Sequence, residues 1–215
     1  MNETMKPQKL SQENRAYQEM LKPAVARLQG RNPQDIEKKG NVIFRPENSL
    51  LEIPSMGETY EISYPDFKCR GNIDEWLHLV MLHYLDLGDG TPVSWDFITF
   101  GNMKDGLIRG TGFDRTVDRE LQQIFRGKEN KEIREICESL GEKFQGSTKG
   151  DMCVVLPFLP RVPMILMVWF ADEEFEATGK LLLTASVDHY LTIEDAVTAG
   201  EYVLRYIKKK FQEEQ

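Results

Sequence analysis

The sequence predicts an α+β fold, with an antiparallel sheet, or one mixed with an N-terminal meander, packed against several helices. Three observations predict it. Short period-two runs cluster between residues 42 and 70 and return after residue 152, while helical periodicity fills the stretches around them. The connections between the later strands are too short for parallel crossovers. We expect one domain over residues 1–215: a helical N-terminal segment at 1–40, a small β meander at 41–70 and a core at 71–215.

The elements follow in order. Ser11 to Leu28 reads as a helix, with Ser11 as its cap, Leu21, Val25 and Leu28 at helical spacing, and Gly30 as its stop. Pro23 should kink or split it. Pro33 opens a second helix that stops at Gly40. The runs VIF, SLLEI, ETYEISY and FKC, separated by Pro54, Gly57 and Pro65, form the meander, with Tyr60, Ile62 and Tyr64 on one face. Asn72 to Leu87 is amphipathic through Trp76, Leu77, Val80, Met81, Tyr84 and Leu85, and Gly88-Asp89-Gly90 turns the chain.

An extended TPVSWDFITF stretch precedes two charged helices, Thr116 to Arg126 and Lys131 to Leu140, stopped by Gly127 and Gly141. Strands Met152 to Leu156 and Met164 to Phe170 flank the bend PFLPRVP, and Lys180 to Ser186 adds a third strand. The apolar run Ile165 to Val168 predicts that Trp169 is buried in a central strand covered on both faces. Thr192 and Asp195 bracket the start of the last helix in a capping-box arrangement.

Composition excludes several functions. A net charge of −8 argues against nucleic acid as a partner, because phosphate binding needs cations to displace counterions. The cluster Lys208-Lys209-Lys210 reads as a solvated helix end that favours the negative dipole. Cys69, Cys137 and Cys153 are too few for a disulfide framework, so a reducing, cytoplasmic setting is expected. The stretch MNETMKPQKLSQENR has no apolar core and is not read as a signal peptide. Prolines and Arg161 interrupt the most apolar stretch, so no membrane partner is expected.

Two blocks carry a family resemblance. One runs LHLVMLHYLDLGDGTPVSWDFITFGNMKDGLIRGTGFDRTVDRELQQIFRG, the other LPFLPRVPMILMVWFADEEFEATGKLLLTASVDHYLTIED. The distinctive features are the P-R-x-P bend, the strand with Trp169 and the D-E-E-F run, in that order. Together they resemble the bacterial and archaeal family catalogued as domain of unknown function 3786. The resemblance implies a fold neighbourhood and no reaction. Some relatives carry a cysteine-rich iron–sulfur segment similar to that of corrinoid iron–sulfur proteins. This implies a corrinoid or tetrapyrrole ligand, a redox or one-carbon setting and a protein partner in anaerobic metabolism. The present chain departs from that form, because three scattered cysteines cannot supply four thiolates.

The remaining motifs are weighed residue by residue. His78 and His83 lie five apart, about 140° around a helix, so they cannot chelate together and no zinc is expected. His83, beside Tyr84 near a helix end, is either a packing group or a ligand-binding one. Gly110-Thr111-Gly112 lacks the third glycine of a dinucleotide loop, and Gly141 to Thr148 imitates a phosphate loop without its lysine. Cys137 and Cys153 read as buried structural thiols. Ser186, Asp188 and His189 are sequence neighbours without a nucleophile elbow.

The strongest candidate is the carboxylate-rich set around the long hairpin: Arg161 in its bend, Asp172, Glu173 and Glu174 after the Trp169 strand, and Asp188, Glu194 and Asp195 after the next. These either form a site or are an Arg–carboxylate pair, a helix cap and a solvated turn. Because the two ends of the strand from Met164 to Phe170 are about 20 Å apart, the partner of Arg161 is expected within Asp188 to Asp195. Candidate ligand-binding residues are therefore His83, Tyr84, Arg161, Asp172, Glu174 and Asp188. The leading functional expectation is a non-enzymatic accessory or small-ligand-binding protein. The alternative is an enzyme using Arg161 with Asp172 and Glu174.

Overall fold

The computed structural model describes residues 7–146 and 148–213, with side chains described from residue 15. The side chain of Ser11 and the whole of Ser147, both singled out by the sequence, lie outside that set.

A first helix, α1 (Pro7–Leu28), passes through Pro23 without splitting. It packs along α3 (Glu75–Leu87), so tertiary burial of Ala24 and Leu28 outweighs the hydrogen bond that proline removes. Between them lie α2 (Pro33–Gly40), capped by the Asn32 side chain, and the meander β1 (Ile43–Arg45), β2 (Leu50–Ser55), β3 (Glu58–Ser63) and β4 (Cys69–Arg70). The meander forms its own antiparallel four-stranded sheet instead of joining the main one. A backbone hydrogen bond from Met56 N to Pro157 O, 2.8 Å, links the two.

The second sheet has the order β5-β9-β8-β7-β6, from β5 (Phe97–Ile98), β6 (Glu142–Lys143), β7 (Met152–Leu159), β8 (Val162–Trp169) and β9 (Thr178–Thr184). All its pairings are antiparallel, as the short connections require. The bend is tighter than the sequence suggests. Leu159 pairs with Val162, leaving only Pro160 and Arg161 at the tip, and Pro157 is absorbed in a register shift between Leu156 and Leu159.

One face of this sheet, bearing Met164, Leu166 and Val168, joins the main core with the helices, including α6 (Ile193–Glu213). The other bears Ile165, Met167 and Trp169 in a smaller cluster with Cys153, Leu182, Phe97 and Phe144. Trp169 is the last residue of β8 and only half-buried, its indole N–H donating to Lys149 O, so the expectation of full burial is corrected. The second face stops being covered where the strand ends.

Helix α4 (Arg109–Phe125) starts well before Thr116 and takes in Gly110-Thr111-Gly112. Glycine disfavours helix, which is why the sequence points to a later start. Here Gly110 lets α4 meet the short 3-10 turn at Phe100–Asn102; a Cβ on it would lie 2.1 Å from Phe100 O. After α4 comes α5 (Asn130–Leu140). The Lys208 to Lys210 cluster is an ion-paired helix end, with Lys208 on Glu120 and both Lys209 and Lys210 on Glu213. No described helix is long and apolar enough to cross a membrane.

Candidate functional site

The six candidate residues fall at two ends of the β7–β8 hairpin. At its turn, Tyr84 is fully buried and stacks on Tyr190 with ring centroids 5.4 Å apart. The Tyr84 hydroxyl donates to Gly40 O and accepts from Arg161 N at 3.1 Å, so it ties α2 and the hairpin tip to α3. Burial pushes its hydroxyl well above the ordinary tyrosine range, and it stays protonated as a donor.

Arg161 does not have the carboxylate partner expected for it. Among the described residues no acidic group lies within ion-pair reach, and its Nε is buried without a hydrogen-bond partner. The acids of the 188–195 segment are taken elsewhere. Asp188 accepts from Lys104 N, Glu194 pairs with Arg109, and Asp195 holds His83 Nδ1 at 2.6 Å while accepting from Thr192. Thr192 and Asp195 form the predicted cap, which also anchors α3 to α6 through His83. Ser186, Asp188 and His189 turn to Ser94 N, Lys104 N and Asp89, so they are not a triad.

Asp172 and Glu174 stand at the other end. β8 spans eight residues between the two ends, about 25 Å, so Arg161 and these carboxylates cannot act on one small molecule. The Asp172 carboxylate accepts from the backbone N–H groups of Glu174 at 2.9 Å and Phe175 at 2.8 Å. Those bonds, the Glu174 amide first, hold it below the ordinary carboxylate range. It therefore stays ionised near neutrality and is a weak base. The same turn projects Phe175 outward, 69% exposed.

That turn forms one wall of an open groove of about 800 Å³. Trp169, Phe170 and Phe175 supply its aromatic surface. Arg134 sits 4.6 Å from the Phe170 ring centroid on the α5 side. The opposite wall is α4. Phe113, Val117, Leu121 and Phe125, four apart, bury its core face, which leaves Arg115, Arg119 and Gln122 on the far side, lining the groove. Both arginines are exposed, and among the described residues neither has an acidic partner.

The groove's four acids are engaged: Asp118 with Lys180 at 3.0 Å, Asp151 with Phe170 N, Asp172 in its turn and Glu176 with Arg126. Another groove, of about 590 Å³ between α4 and α6, is different. Its cations Arg109, Arg205 and Lys208 pair with Glu194, Asp74 and Glu120.

Sequence reasoning found Asp172 and missed the arginines. Their signal is nevertheless in the chain: Arg119 has no acidic residue three or four positions away on either side, and Arg115 has only Asp118. The thiols are inert, with burial pushing Cys137 up to about 12 and Cys153 up to about 11. Among the described residues no three metal-ligating side chains come together.

Fold and groove together describe an α+β protein with a cleft along one helix, lined by two arginines without acidic partners, four acids and three aromatic residues. The chain belongs to the family described as domain of unknown function 3786, whose model matches residues 32–206 and so spans both sheets. No curated protein and no solved structure matches the chain.

Proposed function

We propose that this protein binds a small anionic ligand with a flat apolar body in the groove between α4 and the 169–178 segment, and that it acts as a binding or accessory protein. One observation carries the reading: two guanidiniums without acidic partners line one groove together with Trp169, Phe170 and Phe175. Among the described residues the two arginines lack acidic partners, so their guanidinium forks remain available as hydrogen-bond donors beside the groove's four acids. Guanidinium forks match carboxylates, and ring faces take flat conjugated bodies.

The groove volume lies within the ordinary range for small-molecule sites, roughly 300–1,000 Å³. Its openness to water favours exchangeable binding over chemistry, which profits from exclusion of water. A tetrapyrrole or corrinoid carrying acid side chains, the class the family resemblance implies, has this chemistry. A cytoplasmic setting is consistent with three unpaired thiols.

The test is an equilibrium titration with 2-naphthoate and with protoporphyrin, followed by tryptophan fluorescence. We expect saturable quenching, with affinity at least about tenfold weaker in the Arg115→Gln/Arg119→Gln double variant. Equal affinity in the double variant would overturn the reading. A marked preference for protoporphyrin would support the tetrapyrrole class.

A further inference from the structure

We infer that the ligand of this groove carries two separate carboxylates on one edge of its flat body, one for each of Arg115 and Arg119. The inference rests on the α4 groove being the ligand site and adds the charge number and spacing of what it takes.

Arg115 and Arg119 stand one helical turn apart, which puts their side-chain roots about 6 Å from each other on one face. Like charges at this spacing destabilise a helix, and helices ordinarily place an acid within reach to offset them. Helix α4 has three acids, and each is drawn away. Asp114 accepts from the amides of Phe100 at 3.0 Å and Gly101 at 2.9 Å. Asp118 turns to Lys180 of β9, and Glu120 turns to Lys208 of α6. Helix α4 therefore presents two guanidinium forks without acidic partners, which a single carboxylate cannot engage bidentately at once. A monoanion engaging one fork leaves the other guanidinium next to it uncompensated.

Two carboxylates spaced like the arginine pair remove both charges and can form two parallel pairs of hydrogen bonds. The aromatic wall fixes the rest of the ligand. Phe175 and Trp169 line the same groove as the arginines, so a ring stacked on them can present one edge to α4. One doubly charged phosphate group carries the same total charge at a single point. It cannot bring both forks into bidentate contact without drawing them together against their repulsion.

Three soluble probes share one ring: 2-naphthoyl-glutamate with two carboxylates, 2-naphthoyl-glutamine with one in nearly the same shape, and 2-naphthyl phosphate with one dianionic group. Dissociation constants are read by fluorescence for the full chain and for Arg115→Gln and Arg119→Gln, both of which keep helix propensity. We expect the glutamate conjugate to bind at least about tenfold tighter than the glutamine conjugate, and each variant to abolish most of that difference. The phosphate should rank with the monoacid. Equal affinities for the glutamate and glutamine conjugates, with binding still dependent on the arginines, would overturn the two-carboxylate inference and leave the binding reading standing. So would a phosphate that binds as tightly as the diacid. Failure of all three probes to bind would overturn both. An unchanged thermal midpoint in the variants establishes that any loss is local.

Discussion

At its turn the β7–β8 hairpin carries a guanidinium beside two tyrosine rings; at its open end it faces two guanidiniums beside Trp169, Phe170 and Phe175. The residue types are alike and the surroundings are opposite. Around the turn, Tyr84 and Tyr190 are sealed in the core, and the Tyr84 hydroxyl spends both its donor and acceptor capacity on backbone groups. Around the open end, ring faces and cations reach solvent. A polar aromatic cluster is thus a joint where its partners belong to the chain, and a candidate site where they do not.

The largest effect belongs to the joint. Tyr84→Phe removes one hydroxyl and strands a buried carbonyl at Gly40 and an amide at Arg161, so it should cost about 2–3 kcal/mol in urea unfolding. Ligand affinity in the α4 groove should not change. A cost below about 0.5 kcal/mol would mean the turn is not the structural end of the hairpin.

Next comes Trp169→Ala. A fully buried central tryptophan costs about 3–5 kcal/mol on truncation. A half-buried one at a strand end, with its N–H on a single loop carbonyl, should cost about 1–2 kcal/mol. The same change should weaken binding of 2-naphthoate in the groove. A cost near the fully buried value with no loss of affinity would move this residue from the open end to the core.

Arg161→Met sharpens the contrast further. The Nε of Arg161 is buried without a partner, and methionine keeps much of the aliphatic stem while removing that donor. Stability should change by less than about 0.5 kcal/mol, or rise. A loss above about 2 kcal/mol would show that the guanidinium has a stabilising role at the turn after all.

The smallest effect concerns Asp172. Backbone N–H groups of Glu174 and Phe175 lower its pKa when folded, so its contribution is present above the unfolded carboxylate value and lost as pH falls through the folded one. The thermal midpoint of the wild type should therefore fall more steeply below about pH 4 than that of Asp172→Asn, whose amide oxygen accepts the same bonds at every pH. Parallel curves would show that the turn holding Phe175 does not depend on the carboxylate.

The sequence by itself determined the succession of elements and their type. Periodicity, Pro33, Gly40 and the Thr192–Asp195 cap are local signals, and each acts on a few neighbouring bonds. It also separated Arg161 from Asp172, because strand rise alone sets that distance. Tertiary structure decided which charges remain free. Read along the chain, RTVDRELQQ looks like a solvated helix face with its own acids nearby. Only in the fold do Lys180, Lys208 and the amides of Phe100 and Gly101 claim Asp118, Glu120 and Asp114. Those partners come from β9, α6 and the 3-10 turn, from 13 to 88 positions away along the chain. Charge compensation depends on distance in space, and local sequence carries no measure of that distance for residues so far apart.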